Sequence, residues 1–161
     1  MSGRIGIDLQ VRSGLVESPA RNILQVAKGT VPTTADSFNS ATPAASSLYV
    51  DITPSSTSSK VYITTTFGID SSGSNNAWAS LYRTIGGSSS NIGDNGGTYD
   101  GHFYVNVITA RTLVGASIVY LDSPSTTSST RYTVYCATQG SAAEIRHDLQ
   151  TSQIIAMEVA G

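Results

Sequence analysis

The chain has 161 residues, a formal net charge of −2 at neutral pH and one cysteine. This length suits a single domain, the lone Cys136 excludes an intrachain disulfide, and the nine Lys and Arg residues form no basic run that would favour nucleic-acid binding. No long apolar run is present, so the sequence predicts neither a signal peptide nor a transmembrane helix. Only 12% of the residues are charged, and 25 serines and 19 threonines supply most of the polarity.

The N-terminal segment differs from the rest of the chain in its pattern. Alternating aliphatic side chains near its start have the two-residue period of a strand, and no hairpin partner follows them. We therefore predict that residues 1–28 form an extended arm whose strand is completed by another chain. The residues predicted to bind that partner are Arg4, Ile5, Ile7, Leu9, Val11, Arg12 and Arg21. Because Ser18-Pro19 has the form of a helix N-terminus, a helical turn or two is also predicted over residues 19–27.

Short stretches of alternating apolar and polar residues follow in the rest of the chain, and turn-forming residues separate them. The predicted strands are, in chain order, Leu48 to Ile52, Val61 to Phe67, Ala77 to Ile85, Phe103 to Thr109, Ser117 to Leu121 and Arg131 to Thr138. Ser141 and Glu144 match a helix capping box, but alternation resumes after Ser152, so two further strands are predicted at the C-terminus.

This number and spacing of strands indicate the fold class. About eight to ten short strands at near-regular intervals are typical of a sandwich, a jelly roll or a barrel. We therefore predict an all-β protein in which residues 47–161 form an antiparallel β-sandwich or jelly roll. Residues 29–46 are predicted to be a polar connecting segment between this domain and the N-terminal arm.

The residue types that carry chemistry form no catalytic or metal-binding motif. His102 and His147 are not grouped with other ligands at the short spacing of a zinc site. The Gly-x-Ser-x-Gly turn of many hydrolases is missing, and the glutamates lie in the arm and terminal segments, which does not favour a glycosidase. Cys136 lies in a predicted strand and is expected to be a small buried side chain. We predict that the protein is not an enzyme and has no metal or cofactor.

The stretch from Gly86 to Gly101, which Trp78 and Phe103 bracket, is rich in glycine, serine and asparagine and is a candidate binding loop. Trp78 and Phe103 themselves lie within alternating strands and are predicted to be core residues. The candidate residues of an exposed recognition loop are Asp94, Asn95 and Tyr99, with a host glycan as the candidate ligand. The turn at Asp94 also resembles part of a calcium loop, but the closing glutamate is missing and a plain turn is the preferred interpretation.

Four segments of the sequence resemble a module of tailed-phage virion proteins, found especially in fibre-like and head-decorating proteins of aquatic phages. They are Asn22 to Val26, Val50 to Val61, Leu121 to Ser128 and Ile154 to Val159. The resemblance spans residues 22–159, leaves residues 1–21 uncovered and rests on structural motifs, not catalytic ones. It implies a trimeric β-sandwich without a cofactor, and hence a protein that binds copies of itself.

Two functions of such a module remain open. A tail fibre normally carries an attachment domain and a shaft before its tip, whereas only residues 1–28 precede the module here. This arrangement favours a capsid decoration or cement protein whose arm binds the major capsid protein or another virion protein. The alternative is a short tail-fibre tip that recognises a host surface glycan. Either protein would be made in the host cytoplasm and reside in the virion.

Overall fold

The computed structural model describes residues 22–71, 76–94, 96–97, 101–106, 112–140 and 142–161. These ranges contain eleven β-strands and no helix, so none that is long and apolar enough to cross a membrane. The strands are β1 (Ile23–Lys28), β2 (Asp36–Phe38), β3 (Ala44–Ile52), β4 (Lys60–Ser71), β5 (Asn76–Ile85), β6 (Ser88–Asn91), β7 (Phe103–Asn106), β8 (Thr112–Asp122), β9 (Thr130–Gln139), β10 (Ala143–Ile145) and β11 (Gln153–Val159). They form two antiparallel sheets, which confirms the predicted all-β sandwich.

The first sheet is built around β4. Along one edge of β4, β8 pairs continuously from Val61 to Ser71. The other edge pairs first with β11 and then with β10, and β1 and β2 lie outside β11 and β10 respectively. Because all of these pairs are antiparallel, side chains of neighbouring strands form rows across the sheet.

The second sheet is built around β5 in a similar way. β9 pairs along the whole of one edge of β5, and β3 lies outside β9. The other edge is shared by β7 and β6. The hairpin turn from β5 to β6 consists of Gly86 and Gly87, whose φ angles of 57° and 85° are both positive, as a type I′ turn requires.

The strand pairs are nested along the chain. β1 pairs with β11, β3 with β9, β4 with β8, and β5 with β6 and β7. Successive pairs alternate between the first and the second sheet. This nested alternation is the arrangement of a jelly roll, so the more specific form of the predicted fold is also present.

The core lies between the two sheets and is filled by the inward-facing half of each main strand. Ile63 and Phe67 of β4 meet Leu48 of β3, Leu81 of β5 and Val134 of β9, and all five are at most 2% exposed. Burying a side chain of this size contributes about 1.5–3 kcal/mol. The alternation that predicted the strands therefore also identifies the residues that hold the two sheets together.

The structure differs from the sequence-based prediction at several short segments. The helical turns predicted over residues 19–27 are wrong within the described part, because Ile23 to Ala27 belong to β1, which pairs with β11. Long-range pairing outweighs a local capping signal that is worth about 1 kcal/mol. The two strands predicted at the C-terminus are present as β10 and β11. The short strands β2 and β6 were not predicted, and residues 107–109 of one predicted strand lie outside the described residues.

Candidate functional site

The residues predicted to bind a partner are for the most part outside the described structure. The arm residues Arg4, Ile5, Ile7, Leu9, Val11, Arg12 and Arg21 lie there, and so do Asn95 and Tyr99 of the predicted recognition loop. Asp94 is described and is exposed. Its Oδ1 accepts a hydrogen bond from the backbone N–H of Gly96 at 2.8 Å, so the carboxylate closes its own turn.

The aromatic residues beside this loop are distributed over both faces of the second sheet. Phe103 is half-buried on the core side, where its ring meets Phe67 edge-on with 6.5 Å between the ring centroids. Trp78 is 4% exposed, but it points away from the main core, since its neighbours Ala77 and Ala79 face inward. Both side chains are shielded as predicted, although only Phe103 packs against the main core.

Two titratable side chains, those of Cys136 and His102, are surrounded by groups that stabilise the fold. Cys136 is 1% exposed, and burial raises the pKa of its thiol to about 12, so the reactive thiolate is strongly disfavoured. This agrees with the prediction of a buried, unreactive side chain. His102 accepts a hydrogen bond at Nδ1 from the backbone N–H of Leu81 at 3.2 Å, and burial lowers its pKa. The neutral ring therefore serves as an acceptor for the second sheet.

Ser152, His147 and Asp36 lie next to one another in the structure, although no sequence motif connects them. His147 Nδ1 lies 2.7 Å from Ser152 Oγ, and His147 Nε2 lies 3.1 Å from Asp36 Oδ2. A hydrolase needs its serine open to substrate, but Ser152 is fully buried. Asp36 Oδ2 also accepts hydrogen bonds from the backbone N–H and the hydroxyl of Ser47. These hydrogen bonds connect β2, β3 and the segment before β11. Because Ser152 is buried, its hydroxyl is not accessible to a substrate.

The four segments that resemble phage virion modules meet in one row of the first sheet. The strand register pairs Gln25 with Glu158, Glu158 with Val61, and Val61 with Asp122. Each of the four segments contributes one of these residues, although Gln25 and Glu158 are 133 residues apart in the sequence. The resembling motifs therefore describe one place in the fold: the inward-facing end row of this sheet.

Glu158 is the centre of a hydrogen-bond network in that row. It is fully buried, and its carboxylate accepts hydrogen bonds from the backbone N–H and hydroxyl of Ser55 at 2.7 and 2.6 Å and from Gln25 Nε2 at 2.6 Å. Burial alone would raise the pKa of Glu158, but these donors outweigh it and hold the pKa at about 2. Gln25 also donates to the carbonyl of Thr53, so the network fastens β1, β11 and the loop after β3 together.

Asp122, at the other end of the row, connects the two sheets. Arg83 Nη1 donates to both of its carboxylate oxygens, at 2.9 and 3.0 Å, and Tyr132 Oη donates to Oδ2 at 2.8 Å. Burial and the hydrogen bond to Asp122 raise the pKa of Tyr132, which keeps the phenol protonated as a donor. Arg83 lies on β5 and Tyr132 on β9, so this carboxylate of the first sheet is held by side chains of the second.

The outer face of the first sheet is apolar over about half of its length. One row across it contains Val26, Met157, Tyr62 and Leu121, and the next contains Ile155 and Val119 on either side of Thr64. Val26 is 61%, Val119 56% and Leu121 51% exposed, and the others are half-exposed. We call six of these residues the apolar face: Val26, Tyr62, Val119, Leu121, Ile155 and Met157.

The outer face of the second sheet has a different character. The rings of Tyr82 and Tyr135 stack with 3.9 Å between their centroids and an angle of 16°. Arg131 lies 4.0 Å from the ring centroid of Tyr49 and forms two hydrogen bonds of 2.8 Å with Asp51. This face combines aromatic rings, a charged pair and hydroxyl groups. Neither face could be recognised in the sequence, since each is assembled from strands that are distant along the chain.

Comparison of this chain with models of known protein families and with curated proteins finds no match, so no phage family is identified. Among solved structures, the Eiger TNF from S. frugiperda is similar, with a TM-score of 0.46 and 12% sequence identity. The similarity covers 86% of this chain and 94% of that chain. It is too distant to carry an argument about function.

Proposed function

We propose that this chain is a non-enzymatic structural protein of a phage particle: a capsid decoration protein that binds the capsid surface as a homotrimer. Its N-terminal arm would bind the major capsid protein or another virion protein, and the jelly roll would project from the surface. The number of copies in the oligomer rests on the sequence resemblance alone. The chain would be made in the host cytoplasm and reside in the virion.

The row formed by Gln25, Glu158, Val61 and Asp122 is the observation that carries this proposal. The resemblance to virion modules rests on four separated segments, and a chance likeness would not be expected to place one residue of each in adjacent strands. The polar groups of this row also hold the fold together, which is consistent with motifs that specify a scaffold. A rigid scaffold of this kind suits a protein whose function is to be present in many copies.

Counting copies tests the proposal directly. Quantitative mass spectrometry of purified particles of the phage that encodes this chain should find it in hundreds of copies, comparable to the major capsid protein. A tail-fibre tip would be present in tens of copies or fewer. Finding no copies in the particle would overturn both virion functions, and a low number at the tail would overturn the decoration function.

A second candidate function is a tail-fibre tip that binds a host glycan. The observation that favours it is the outer face of the second sheet, because aromatic rings beside hydroxyl and charged groups are suited to stacking on sugars and bonding their hydroxyls. Binding of the purified chain to host surface polysaccharide, measured by calorimetry, tests this function. Tyr82→Ala and Tyr135→Ala should each weaken such binding, whereas Thr66→Ala, on the outer face of the first sheet, should not.

A further inference from the structure

We propose that the apolar face of the first sheet is where copies of this chain bind one another. The proposal deepens the proposed function, since it names the surface through which the homo-oligomer would form. It can be tested on the purified chain without any phage particle. Failure of this interface would therefore leave the virion assignment open, and failure of the virion assignment would leave the interface open.

The chemistry of the face is unusual for the outside of a sandwich. In an antiparallel sheet with one side on the core, the other side normally carries polar residues. Here the outward positions of β1, β11, β4 and β8 place aliphatic, thioether and phenol groups next to one another across the whole width of the sheet. Exposed aliphatic side chains are common singly, whereas the largest contiguous apolar patch of a protein is often functional.

The extent of the face fits a protein partner. With Ile23 and Val159 of the next row, the apolar residues occupy eight outward positions on four strands, or roughly 260 Å² at ordinary sheet spacings. A standard interface covers about 800 Å² on each partner, of which about 56–65% is apolar. The face therefore supplies about half of the apolar area that such an interface needs, and the residues around it, Thr64, Lys28 and Lys60 included, would supply the rest of the contact.

The shape of the face argues against a small ligand. The hollow on this side of the sheet, beside Thr64, Thr66 and Ile155, has a volume of about 70 Å³. Sites for small molecules usually enclose about 300–1,000 Å³. A nearly flat apolar sheet surface is instead complementary to the surface of another protein chain, because a flat contact buries area without needing a cavity.

The charges around the face are compatible with a second copy as the partner. The six residues of the apolar face carry no charge, so two copies bring no like charges together at its centre. Lys28, which pairs with Ile155 at the outer strand, and Lys60, which pairs with Val159, lie at its margin. At an interface margin these lysines stay in water, where repulsion between copies is screened.

Light scattering of the full-length chain is the first test. At micromolar concentration the measured mass should be a small multiple of 16.8 kDa. A mass of one chain would overturn the proposal. If deletion of residues 1–21 then produced oligomers, the arm of the same chain would be what covers the face.

Substitutions locate the interface. Leu121→Lys and Val119→Lys should each shift the mass to 16.8 kDa, because the association would bury a charge among apolar side chains. Leu149→Lys is the matched control. Leu149 is 58% exposed and adjoins Gln150, which contacts Gly68 roughly 20 Å along β4 from Tyr62. The control should keep the oligomer, and an oligomer retained in the two face variants would contradict the proposal.

Milder variants guard against loss of folding. Leu121→Ala and Val119→Ala remove apolar area without adding charge and should each raise the dissociation constant of the oligomer about tenfold or more. Circular dichroism checks that every variant keeps the strand signal of the native chain. Unchanged dissociation constants in folded alanine variants would overturn the assignment of this face, whatever the lysine variants do.

Discussion

Buried carboxylates are held by different partners at different places in this molecule. Glu158 is bound by neutral donors, Asp122 by Arg83 and Tyr132, and Asp70 by Arg146 at 3.2 Å. An ionised carboxylate without such partners would be strongly destabilising in the interior. These three residues, out of eleven Asp and Glu in the chain, therefore depend on the fold to supply their partners.

Replacing Glu158 tests the network in the end row. Glu158→Gln should lower the free energy of unfolding by about 1–3 kcal/mol at pH 7, because the donors lose a charged acceptor. The folded-state pKa of about 2 lies below the ordinary value of 4.5, so the native carboxylate stabilises the fold fully above pH 4.5. That contribution is lost as the pH falls toward 2.

Urea denaturation at pH 7 and pH 3 measures this effect. The difference between the native chain and Glu158→Gln should shrink at the lower pH. Glu144→Gln is the control, because the side chain of Glu144 is 36% exposed and its removal should cost less. A difference that is the same at both pH values would contradict the role given to the Glu158 carboxylate.

The thiol of Cys136 reports on opening of the core. Because it is buried and its pKa is raised to about 12, a thiol-reactive dye should label the native chain at least about a hundredfold more slowly than the denatured chain. Stopped-flow or manual labelling in buffer and in denaturant measures the two rates. Fast labelling in buffer would show that β9 is not protected as the structure indicates.

At the scale of the elements, β1 has a double role. It lies outside β11 in the first sheet, and Gln25 fastens it to the interior through Glu158. Ile23 and Val26 both point outward, because the register shifts between Ile23 and Gln25, and they are 58% and 61% exposed. The strand thus closes the sheet on one side while it contributes to the apolar face, and it is the last part of the segment predicted to be the arm.

Two deletions separate the arm from the strand. Deletion of residues 1–21 should leave a folded, soluble domain whose free energy of unfolding is nearly unchanged. This domain should no longer bind to the virion. Deletion of residues 1–28 also removes β1, which uncovers the edge of β11 and takes the Gln25 donor from Glu158. We expect this shorter chain to lose several kcal/mol of stability and to aggregate.

Urea unfolding and the soluble fraction after expression measure both outcomes. If the chain without residues 1–21 fails to fold, the N-terminal segment belongs to the core of its own domain. If it still decorates particles at full occupancy, the capsid anchor lies in the jelly roll and the arm prediction is wrong.

At the scale of the whole molecule, the two outer faces of the sandwich differ in kind. One is apolar, and the other carries tyrosines, hydroxyl groups and the Asp51–Arg131 pair. A molecule with this asymmetry can cover the first face by association while the second stays in water. Stability and association would then be linked.

This linkage predicts a concentration-dependent melting temperature. A tenfold increase in the concentration of the native chain should raise the apparent Tm by about 2–4 °C, because association stabilises the folded state. Differential scanning calorimetry over a hundredfold range of concentration measures it. Leu121→Lys should melt at a lower temperature that is the same at every concentration, and a native Tm without concentration dependence would count against linked association.

The sequence by itself determined the main strands and the fold class. The alternation in β3, β4, β5, β8 and β9 is a local property, since neighbouring residues of a strand point to opposite sides. The pair Gly86-Gly87 marked a turn for the same local reason. By contrast, β6 contains Ser88 to Asn91, which carry no apolar signal, and β2 and β10 are only three residues long. Their strand conformation comes from pairing with neighbours.

Only the tertiary structure decided which residues act together. Glu158 is one glutamate near the end of the sequence until strand register places it beside Gln25 and Val61. Likewise, Val119 and Met157 are ordinary strand residues until β8, β4 and β11 are set side by side. Strand register arises from hydrogen bonding between segments far apart in the chain and from packing of a shared core. Neither can be predicted from a local sequence pattern. The resembling motifs marked the end row in advance, and the apolar face had no such signal.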